Sequence, residues 1–279
     1  MVGHSTDAIT HDVDARWIMS YAAGIDDRNP RYLDTQANTV VAHPLFPVCL
    51  EWPVILSSRH LPGSETMTAA EGARGVHAAH DLHIYRPIRA GERLTTRATV
   101  IGLQRIKPGA AQTTRLDTVD EAGELVCRTY QLGISRNVDV IGAATFCESA
   151  PEVPRLEDSS GDVRRISIPV PATAAHVYTE CARIWNPIHT DRVVALAAGL
   201  PDIILHGTAT LALSVSRLVA HDLGGAAERV REIQARFTGM VPLPSSFTVR
   251  GGPREGAAIA FDAVARDGAP VLSQGVVSV

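Results

Sequence analysis

Residues 178–213 decide the fold, and they read YTECARIWNPIHTDRVVALAAGLPDIILHGTATLAL. The Asn186-Pro187 pair predicts a turn that ends one short helix, and His189 follows this turn just before the next helix. Further on, His206-Gly207 opens a long apolar helix. A histidine can move a proton near neutral pH, and the first turn of a helix can hold a developing negative charge. The stretch therefore contains the two parts of an acid–base site.

The same pattern occurs earlier in the chain, where residues 21–34 read YAAGIDDRNPRYLD. Both copies follow Tyr-x7-Asn-Pro-x-[Tyr/His]-x-Asp, beginning at Tyr21 and at Tyr178. They lie 157 residues apart, which is more than half of the 279-residue chain. Two copies at this distance predict an internal duplication, so that the chain folds as two similar halves.

Hydrophobic periodicity predicts similar elements in each half. Helices are predicted at 14–25, 47–60 and 206–223, and Pro53 is expected to kink or split the second of them. Strands are predicted at 77–88, 91–106, 111–120, 124–135, 163–170, 228–240, 246–252, 256–267 and 270–279. The segment 148–162 is rich in proline, serine and acidic residues, which is typical of a linker. The expected domains are therefore 1–147 and 163–279.

The helix predicted at 206–223 is apolar on nearly every face, so it must be buried on all sides. The pattern alone indicates an α+β fold with a central helix in a curved antiparallel sheet. It does not name the fold family.

The stretch resembles the motif of the MaoC-like (R)-specific enoyl-CoA hydratases and dehydratases, which are hot-dog proteins. That motif reads roughly Tyr…Gly-Asp-x-Asn-Pro-[Ile/Leu]-His-x-Asp…Ala…Gly-Leu-Pro…Ile-x-His-Gly. The matching residues of this chain are Tyr178, Asn186, Pro187, Ile188, His189, Asp191, Ala198, Gly199, Leu200, Pro201, His206 and Gly207. With two copies of the pattern, the resemblance implies a double hot dog: two antiparallel sheets, each wrapped around a central helix.

The resemblance assigns roles to individual residues of the second half. His189 matches the acid–base histidine, and Asn186 matches the asparagine that helps to fix the site. Gly207, with His206 before it, matches the helix start whose N–H would bind the thioester oxygen. The chain departs from the motif at its catalytic aspartate, where it has Ile184, a side chain that cannot carry a proton.

The first half departs in the opposite way. Asp27 stands at the aspartate position, two residues before Asn29, but Tyr32 replaces the histidine. We expect Asp27, Asn29 and Tyr32 to be vestigial or to form a second cleft, with the first half contributing an acyl-chain pocket. His43 is the counterpart of His206, although Pro44 removes the N–H donor that Gly207 would supply there.

The composition excludes several other classes of protein. The chain is 45% apolar with a net charge of −4, so we expect no nucleic-acid partner. It has no run of 18 apolar residues and its N-terminus is polar, so we expect no membrane span and a cytoplasmic location. The four cysteines are scattered, which fits neither a disulfide framework nor a zinc site. Along one strand, His80 differs in parity from His77 and from His83, so the three side chains do not share a face and we expect no metal site there.

The leading hypothesis is therefore an enzyme that hydrates an enoyl thioester, or dehydrates a 3-hydroxyacyl thioester, in fatty-acid or related acyl metabolism. The substrate would be linked to CoA or to an acyl carrier protein, and no cofactor is implied. One alternative is a catalytically impaired acyl-thioester-binding protein or a supporting partner subunit. Another is a hot-dog thioesterase that uses Asp27. Because hot-dog proteins commonly associate through their sheets, a homodimer or a pairing with another hot-dog subunit is expected.

Overall fold

A computed structural model describes residues 1–36, 39–151 and 163–279. The helices are α1 (Ala15–Gly24), α2 (Pro30–Leu33), α3 (Pro47–Ser58), α4 (Ala69–Gly72), α5 (Ala174–Ala182), α6 (Arg192–Ala197) and α7 (Gly207–Asp222). The strands are β1 (Ile9–Val13), β2 (Gly75–Ile84), β3 (Glu92–Ile106), β4 (Gly109–Val119), β5 (Leu125–Arg136), β6 (Thr145–Phe146), β7 (Arg164–Val170), β8 (Glu232–Phe237), β9 (Ser245–Glu255), β10 (Ala258–Ala265) and β11 (Pro270–Ser278). Most of the predicted linker, 152–162, lies outside the described residues.

The strands form one antiparallel sheet in the order β1-β3-β4-β5-β2-β8-β11-β10-β9-β7, with β6 beside β3. The first five strands of this order belong to the N-terminal half and the last five to the C-terminal half. The halves meet where β2 pairs with β8, from the Ala79–Arg236 pair to the His83–Glu232 pair. The two sheets of the double hot dog are thus joined edge to edge, which leaves neither β2 nor β8 with a free edge at the junction.

Each half has its own central helix, α3 or α7. Most side chains of α7 are buried, as its apolar sequence predicts, and its buried Ser214 hydroxyl donates to the Thr210 carbonyl at 2.8 Å. Pro53 lies inside α3 without splitting it, so the prediction that this proline splits the helix was wrong. Burial of the surrounding helix, including Leu50 and Val54, offsets the hydrogen bond that the proline removes. Apolar side chains from both halves form one continuous core.

The contact between α1 and α5 brings the two copies of the motif together. Asp14 caps α1 by accepting from the Trp17 N–H at 2.7 Å. Gly24 lies so close to Cys181 of α5 that an added Cβ would come within 2.7 Å of the Cys181 Cβ. The helices can approach this closely only because position 24 has no side chain.

The strand that contains His77 and His80 departs from simple alternation. A bulge between His77 and Ala79 shifts the register, and the two imidazole rings meet at 5.4 Å. The prediction that these two residues face opposite sides was therefore wrong, because a bulge adds one residue to the alternation. In the described part of the chain, no helix is both long enough and apolar enough to cross a membrane.

Candidate active site

The Asn186 turn is held by backbone hydrogen bonds. After α5, the N–H of Ile184 donates to the Thr179 carbonyl at 3.1 Å, and Arg183 takes a left-handed conformation with φ of 57°. Pro187–His189 then forms a 3₁₀ turn in which the His189 N–H donates to the Asn186 carbonyl at 3.1 Å. Asn186 thus fixes His189 through its main chain.

His189 has one ring nitrogen held and one available. Its Nδ1 lies 2.9 Å from the Ile204 carbonyl oxygen, which can only accept, so we assign the proton to Nδ1. Nε2 then carries the lone pair. Burial lowers the pKa of His189 to about 4, partly opposed by the bond to Ile204. The side chain is therefore a neutral base at pH 7, and the residue remains 9% exposed.

His206 stacks on His189. The ring centroids are 3.7 Å apart with 25° between the planes, and His206 Nε2 lies 3.2 Å from the Thr179 hydroxyl. Burial, and then the charge that His189 could carry, hold the pKa of His206 well below its usual value. The side chain makes no capping bond to α7. These contacts support a packing role for His206.

The stacking also places the start of α7 beside His189, because Gly207 follows His206 directly. The first turn of a helix presents N–H groups without intrahelical partners, and the helix dipole favours negative charge there. An added Cβ on Gly207 would lie 3.0 Å from Cδ1 of Phe237, so the aromatic ring packs against the glycine backbone. This close contact gives a structural reason for glycine at position 207.

Ile184, which the resemblance predicts at the position of the motif aspartate, is 5% exposed. The preceding Arg183 occupies a left-handed position that normally favours glycine. Its guanidinium lies over the Trp17 ring, 3.9 Å from the centroid. This cation–π contact with the other half of the chain offsets some of the backbone strain.

Three acidic side chains of the 178–213 stretch are candidates for the carboxylate that position 184 lacks. Asp191 caps α6, accepting from the Val193 and Val194 N–H groups at 2.8 and 3.3 Å. Asp202 accepts from its neighbour Ile203 and pairs with Arg192 at 3.5 Å. Glu180 accepts from the Trp185 indole at 3.4 Å and lines a surface groove. Glu180 thus borders a groove that a ligand could enter.

The first half repeats the same turn. Asp26 takes the left-handed conformation, with φ of 47°, and the Asp27 N–H donates to the Ala22 carbonyl at 2.9 Å. The Tyr32 N–H donates to the Asn29 carbonyl at 3.0 Å, as His189 does to Asn186. The side chain of Asn29 also donates to the Gly225 carbonyl of the other half at 2.7 Å. The shared hydrogen bonds support the predicted duplication.

Tyr32 and His43 occupy the places of His189 and His206, with ring centroids 5.6 Å apart. The Tyr32 hydroxyl is buried without a hydrogen-bond partner among the described residues. Its pKa is raised, first by burial and then by the Asp27 carboxylate. His43 uses both ring nitrogens: Nδ1 accepts from the Leu45 N–H at 3.0 Å, and Nε2 lies 3.1 Å from the Ser216 hydroxyl. His43 is therefore not free to act as a base.

A line of buried rings connects the two motif copies. Tyr21 contacts His43 at 5.8 Å, Tyr178 contacts His206 at 5.0 Å, and the two tyrosines meet each other at 5.9 Å. Tyr178 also donates to the Thr208 hydroxyl at 3.1 Å. The contacts group Asp27 with Tyr32 and His43, and they group His189 with His206. The sequence identified both tyrosines as repeat positions, but nothing in it revealed this contact.

Several depressions surround these groups. A groove of about 390 Å³ is lined by His176, Thr179, Glu180, Trp185, Pro187 and Thr190, and it reaches the second motif through Thr179. A groove of about 620 Å³ is lined by residues of both halves, including Arg31, Arg89 and Glu228. Beside His43 the cavity is only about 20 Å³, which is room for a single water.

Two family models match the chain. Residues 160–258 match the MaoC like domain, and residues 1–129 match the FAS1-like dehydratase domain region. Residues 160–258 thus resemble a MaoC-like dehydratase domain. The matched range covers α5, the Asn186 turn and the start of α7, so the stacked histidines lie inside it.

Two curated relatives of the chain are named as a dehydratase and a hydratase. The chain is 31% identical over 167 residues to 3-hydroxyacyl-thioester dehydratase Y of Mycobacterium tuberculosis, covering 58% of this chain and 56% of that protein. It is 27% identical over 175 residues to the peroxisomal enoyl-CoA hydratase 2 of Arabidopsis thaliana, covering 58% and 54%. The chain thus spans about half the length of these two relatives.

Solved structures share the fold over nearly the whole chain. A MaoC-like dehydratase from Phytophthora capsici aligns with a TM-score of 0.82 at 20% identity, covering 99% of this chain and 94% of that one. A conserved protein of Mycobacterium tuberculosis described as a double hotdog fold aligns with a TM-score of 0.66 at 16% identity, covering 100% and 95%. The double hot-dog fold expected from the sequence is confirmed.

Proposed function

We propose that the chain hydrates an enoyl thioester, or dehydrates a 3-hydroxyacyl thioester, at the site around His189. One observation carries the proposal: His189 has a neutral ring with Nδ1 fixed on Ile204, and it stacks on the residue that begins α7. A base and a set of free helix N–H groups therefore stand side by side. The names of the curated relatives support the same reaction class.

The proposed reaction needs one proton shuttle and one anion site. Nε2 of His189 takes a proton from water as the oxygen bonds to C3 of the enoyl group, and the π electrons move toward the thioester. The N–H of Gly207 stabilises the negative charge on the thioester oxygen. The proton on Nε2 is then delivered to C2. Dehydration reverses these steps, and Asn186 and His206 keep the imidazole in place.

Because Ile184 can neither orient the water nor share its proton, we expect slower turnover at this site than at a site with a carboxylate at position 184. Glu180 lines the groove, and we assign it the role of the second proton carrier beside the water. His189 has a low pKa, which makes it a weak base. We therefore expect modest turnover, limited by formation of the buried imidazolium.

The groove beside Thr179 and Trp185 is the proposed approach for the thioester. Its volume of about 390 Å³ lies within the range of small-molecule sites, and the half-exposed Trp185 ring offers an apolar wall. The acyl group would extend toward the first half, where the cavity beside His43 is small. We therefore expect short acyl groups to be preferred.

The residues of the first motif copy, Asp27, Asn29 and Tyr32, are proposed to support the site rather than to react. Asn29 ties the first copy to Gly225 of the second half. The thioesterase alternative would use Asp27 against the thioester carbonyl. The binding-protein alternative needs the groove alone, and Ile184 is the residue that favours it.

The proposed substrate carrier is CoA or an acyl carrier protein, and the proposed setting is the cytoplasm. Association with a second copy or with another hot-dog subunit is supported by exposed apolar side chains on α6, Val193 and Leu196. No cofactor takes part in the proposed reaction.

The test is to follow short and long trans-2-enoyl-CoA by loss of the enoyl absorbance, with release of free thiol measured in the same samples. Loss of absorbance without thiol, faster for the short substrate, is the expected result. Thiol release would instead establish the thioesterase. Saturable binding of both thioesters without turnover would contradict the proposal and establish the binding protein.

A further inference from the structure

A polar cluster lies where the two halves of the sheet join, outside the candidate active site. In the β2–β8 pairing, His83 stands opposite Glu232 and Asp81 stands opposite Gln234. Side chains two residues apart on a strand share a face, so all four project from the same side of the sheet. The intervening Leu82 is fully buried in the core. Each half of the chain thus contributes two side chains to the cluster.

The ligand-type atoms of this cluster converge. One atom each of Asp81, His83 and Glu232 lie within 4.8 Å of one another, and His83 Nε2 is 3.0 Å from Asp81 Oδ1. Bonds of about 2.0–2.2 Å to a zinc ion place neighbouring ligand atoms roughly 3.3 Å apart in a tetrahedral site. The present separations therefore need to close by at most about 1.5 Å.

One buried polar atom of the cluster, Gln234 Oε1, lacks a hydrogen bond among the described residues. His83 Nε2 is shielded from solvent, and it faces the Asp81 carboxylate at 3.0 Å. Gln234 is 1% exposed, and its Nε2 donates to Asp81 at 3.1 Å and to Glu232 at 2.5 Å. Burying polar atoms without partners is costly. A cation would use the imidazole nitrogen, and a rotated amide would present its oxygen.

The neighbouring strand places a paired cation and an aromatic ring beside the cluster. Arg128, next to His83 on the neighbouring strand, already pairs with Asp117 at 2.5 Å. The Tyr130 ring stands edge-on to His83 at 6.0 Å and limits the orientation of the imidazole. Two carboxylates and one oriented imidazole form a donor set that suits divalent zinc or a similar transition metal.

We propose that Asp81, His83 and Glu232 bind one divalent transition-metal ion, with Gln234 as an outer or fourth ligand. The ion joins β2 to β8 and so clamps the two halves of the chain together. The site has three protein donors and leaves room for water, because the His83 side chain is about one-quarter exposed. This site differs from the one excluded above, since it uses His83 with acids and neither His77 nor His80.

The test uses the full chain after treatment with a chelator, and zinc chloride as the probe. Wild type is expected to bind about one equivalent by calorimetry and to melt at a higher temperature with zinc. Glu232→Gln, which preserves size, and His83→Gln should weaken binding at least tenfold and lose the melting shift. His60→Gln and Cys147→Ser, which alter exposed residues elsewhere, should behave as wild type.

Cobalt(II) provides a second measurement on the same variants. A His–carboxylate site should give weak visible bands without the strong near-ultraviolet band of a thiolate ligand, and Glu232→Gln should remove them. The proposal is overturned if wild type binds no zinc, or if Glu232→Gln and His83→Gln bind it as tightly as wild type. A thiolate band that disappears in Cys147→Ser would assign the metal to a cysteine instead. Hydratase activity does not enter these readouts.

Discussion

His189 is held by one neighbour at the edge of its ring and by another over one face of the ring. Ile204 holds Nδ1, and His206 covers one face at 3.7 Å. A ring held in this way has lost its rotamer freedom before any ligand arrives, which reduces the entropy cost of reaching a reactive geometry. The same burial lowers its pKa to about 4, so the site combines good positioning with weak basicity.

Replacement of Gly207 by alanine tests the start of α7. The new Cβ would lie 3.0–3.1 Å from two atoms of the Phe237 ring, so the ring or the helix must shift. We expect a loss of about 1–3 kcal/mol in the free energy of unfolding and at least tenfold in turnover. Urea denaturation and the hydration assay measure both effects.

The double variant Gly207→Ala with Phe237→Leu is the matched control for this change. Leucine lacks the ring atoms that the new methyl group would meet, so part of the lost turnover should return. An alanine variant with wild-type turnover would show that the close backbone contact has no role in the reaction.

The buried environment of Glu51 predicts a pH dependence of the free energy of unfolding. It lies buried in α3, accepts a hydrogen bond from the Thr129 hydroxyl, and has its pKa raised by burial to about 7. The unfolded chain releases this proton near pH 4.5 and the folded chain near pH 7. Glu51 therefore lowers the free energy of unfolding as the pH rises between these values.

Glu51→Gln should remove this dependence while keeping an oxygen acceptor for Thr129. Relative to wild type, the variant should gain on the order of 3 kcal/mol between pH 4 and pH 8. Denaturation at several pH values measures the difference. A difference that stays constant with pH would show that the Glu51 carboxyl titrates normally in the folded protein.

At the scale of elements, α6 depends on its cap. Asp191 accepts from two N–H groups at the start of this six-residue helix, which is too short to be stable by itself. Asp191→Ala should lower the free energy of unfolding by about 0.5–2 kcal/mol. Asp12→Ala is the control, because Asp12 forms only an exposed ion pair with Arg93 and should change stability by less than about 0.5 kcal/mol. Equal effects of the two substitutions would contradict the capping role.

The sequence could predict the elements that depend on local rules. The Asp14 and Asp191 caps, the Asn-Pro turns, and the hairpin between β4 and β5 follow from residues close together in the chain. The Gly123 turn, with φ of 82°, is of the same kind. These features need no knowledge of distant contacts.

The features that escaped prediction all depend on distant contacts. The bulge after His77 changes which side chains share a face, and no residue in that stretch marks it. Pro53 was expected to break a helix that burial sustains. The stacking of His206 on His189 depends on the path of the chain between them, so the sequence identified both histidines but not their contact.

For the molecule as a whole, buried histidines predict acid sensitivity. Burial lowers the pKa of His43 and His189 to about 4, and it holds the pKa of His80 and His206 well below its usual value. Below pH 6.5 the unfolded chain binds protons at these positions while the folded chain does not. The free energy of unfolding should therefore fall by several kcal/mol from pH 6.5 to pH 4.

His43→Asn tests this pH dependence at one position. Asparagine offers an oxygen that can accept from the Leu45 N–H, as Nδ1 of His43 does, but it does not titrate. The variant should be less stable at pH 7, because it leaves space in the core, yet its stability should depend less steeply on pH than that of wild type. A slope equal to that of wild type would mean that His43 does not contribute to the pH dependence of stability.

The two halves also act as one unit in this structure. One core runs through both, the sheet is continuous at β2–β8, and the ring line from Tyr32 to His189 crosses between them. The predicted duplication, followed by loss of one motif residue from each copy, would account for this arrangement. The site around His189 keeps the base and the helix start, while the first copy keeps the aspartate.

The most direct test of the central proposal is hydration of a short trans-2-enoyl-CoA by wild type, His189→Ala and Ile184→Asp. Wild type should turn over slowly, His189→Ala should lose at least a hundredfold in kcat, and Ile184→Asp should turn over faster than wild type because a carboxylate returns beside the base. Wild-type turnover that survives in His189→Ala would contradict the account and place the reaction elsewhere in the molecule.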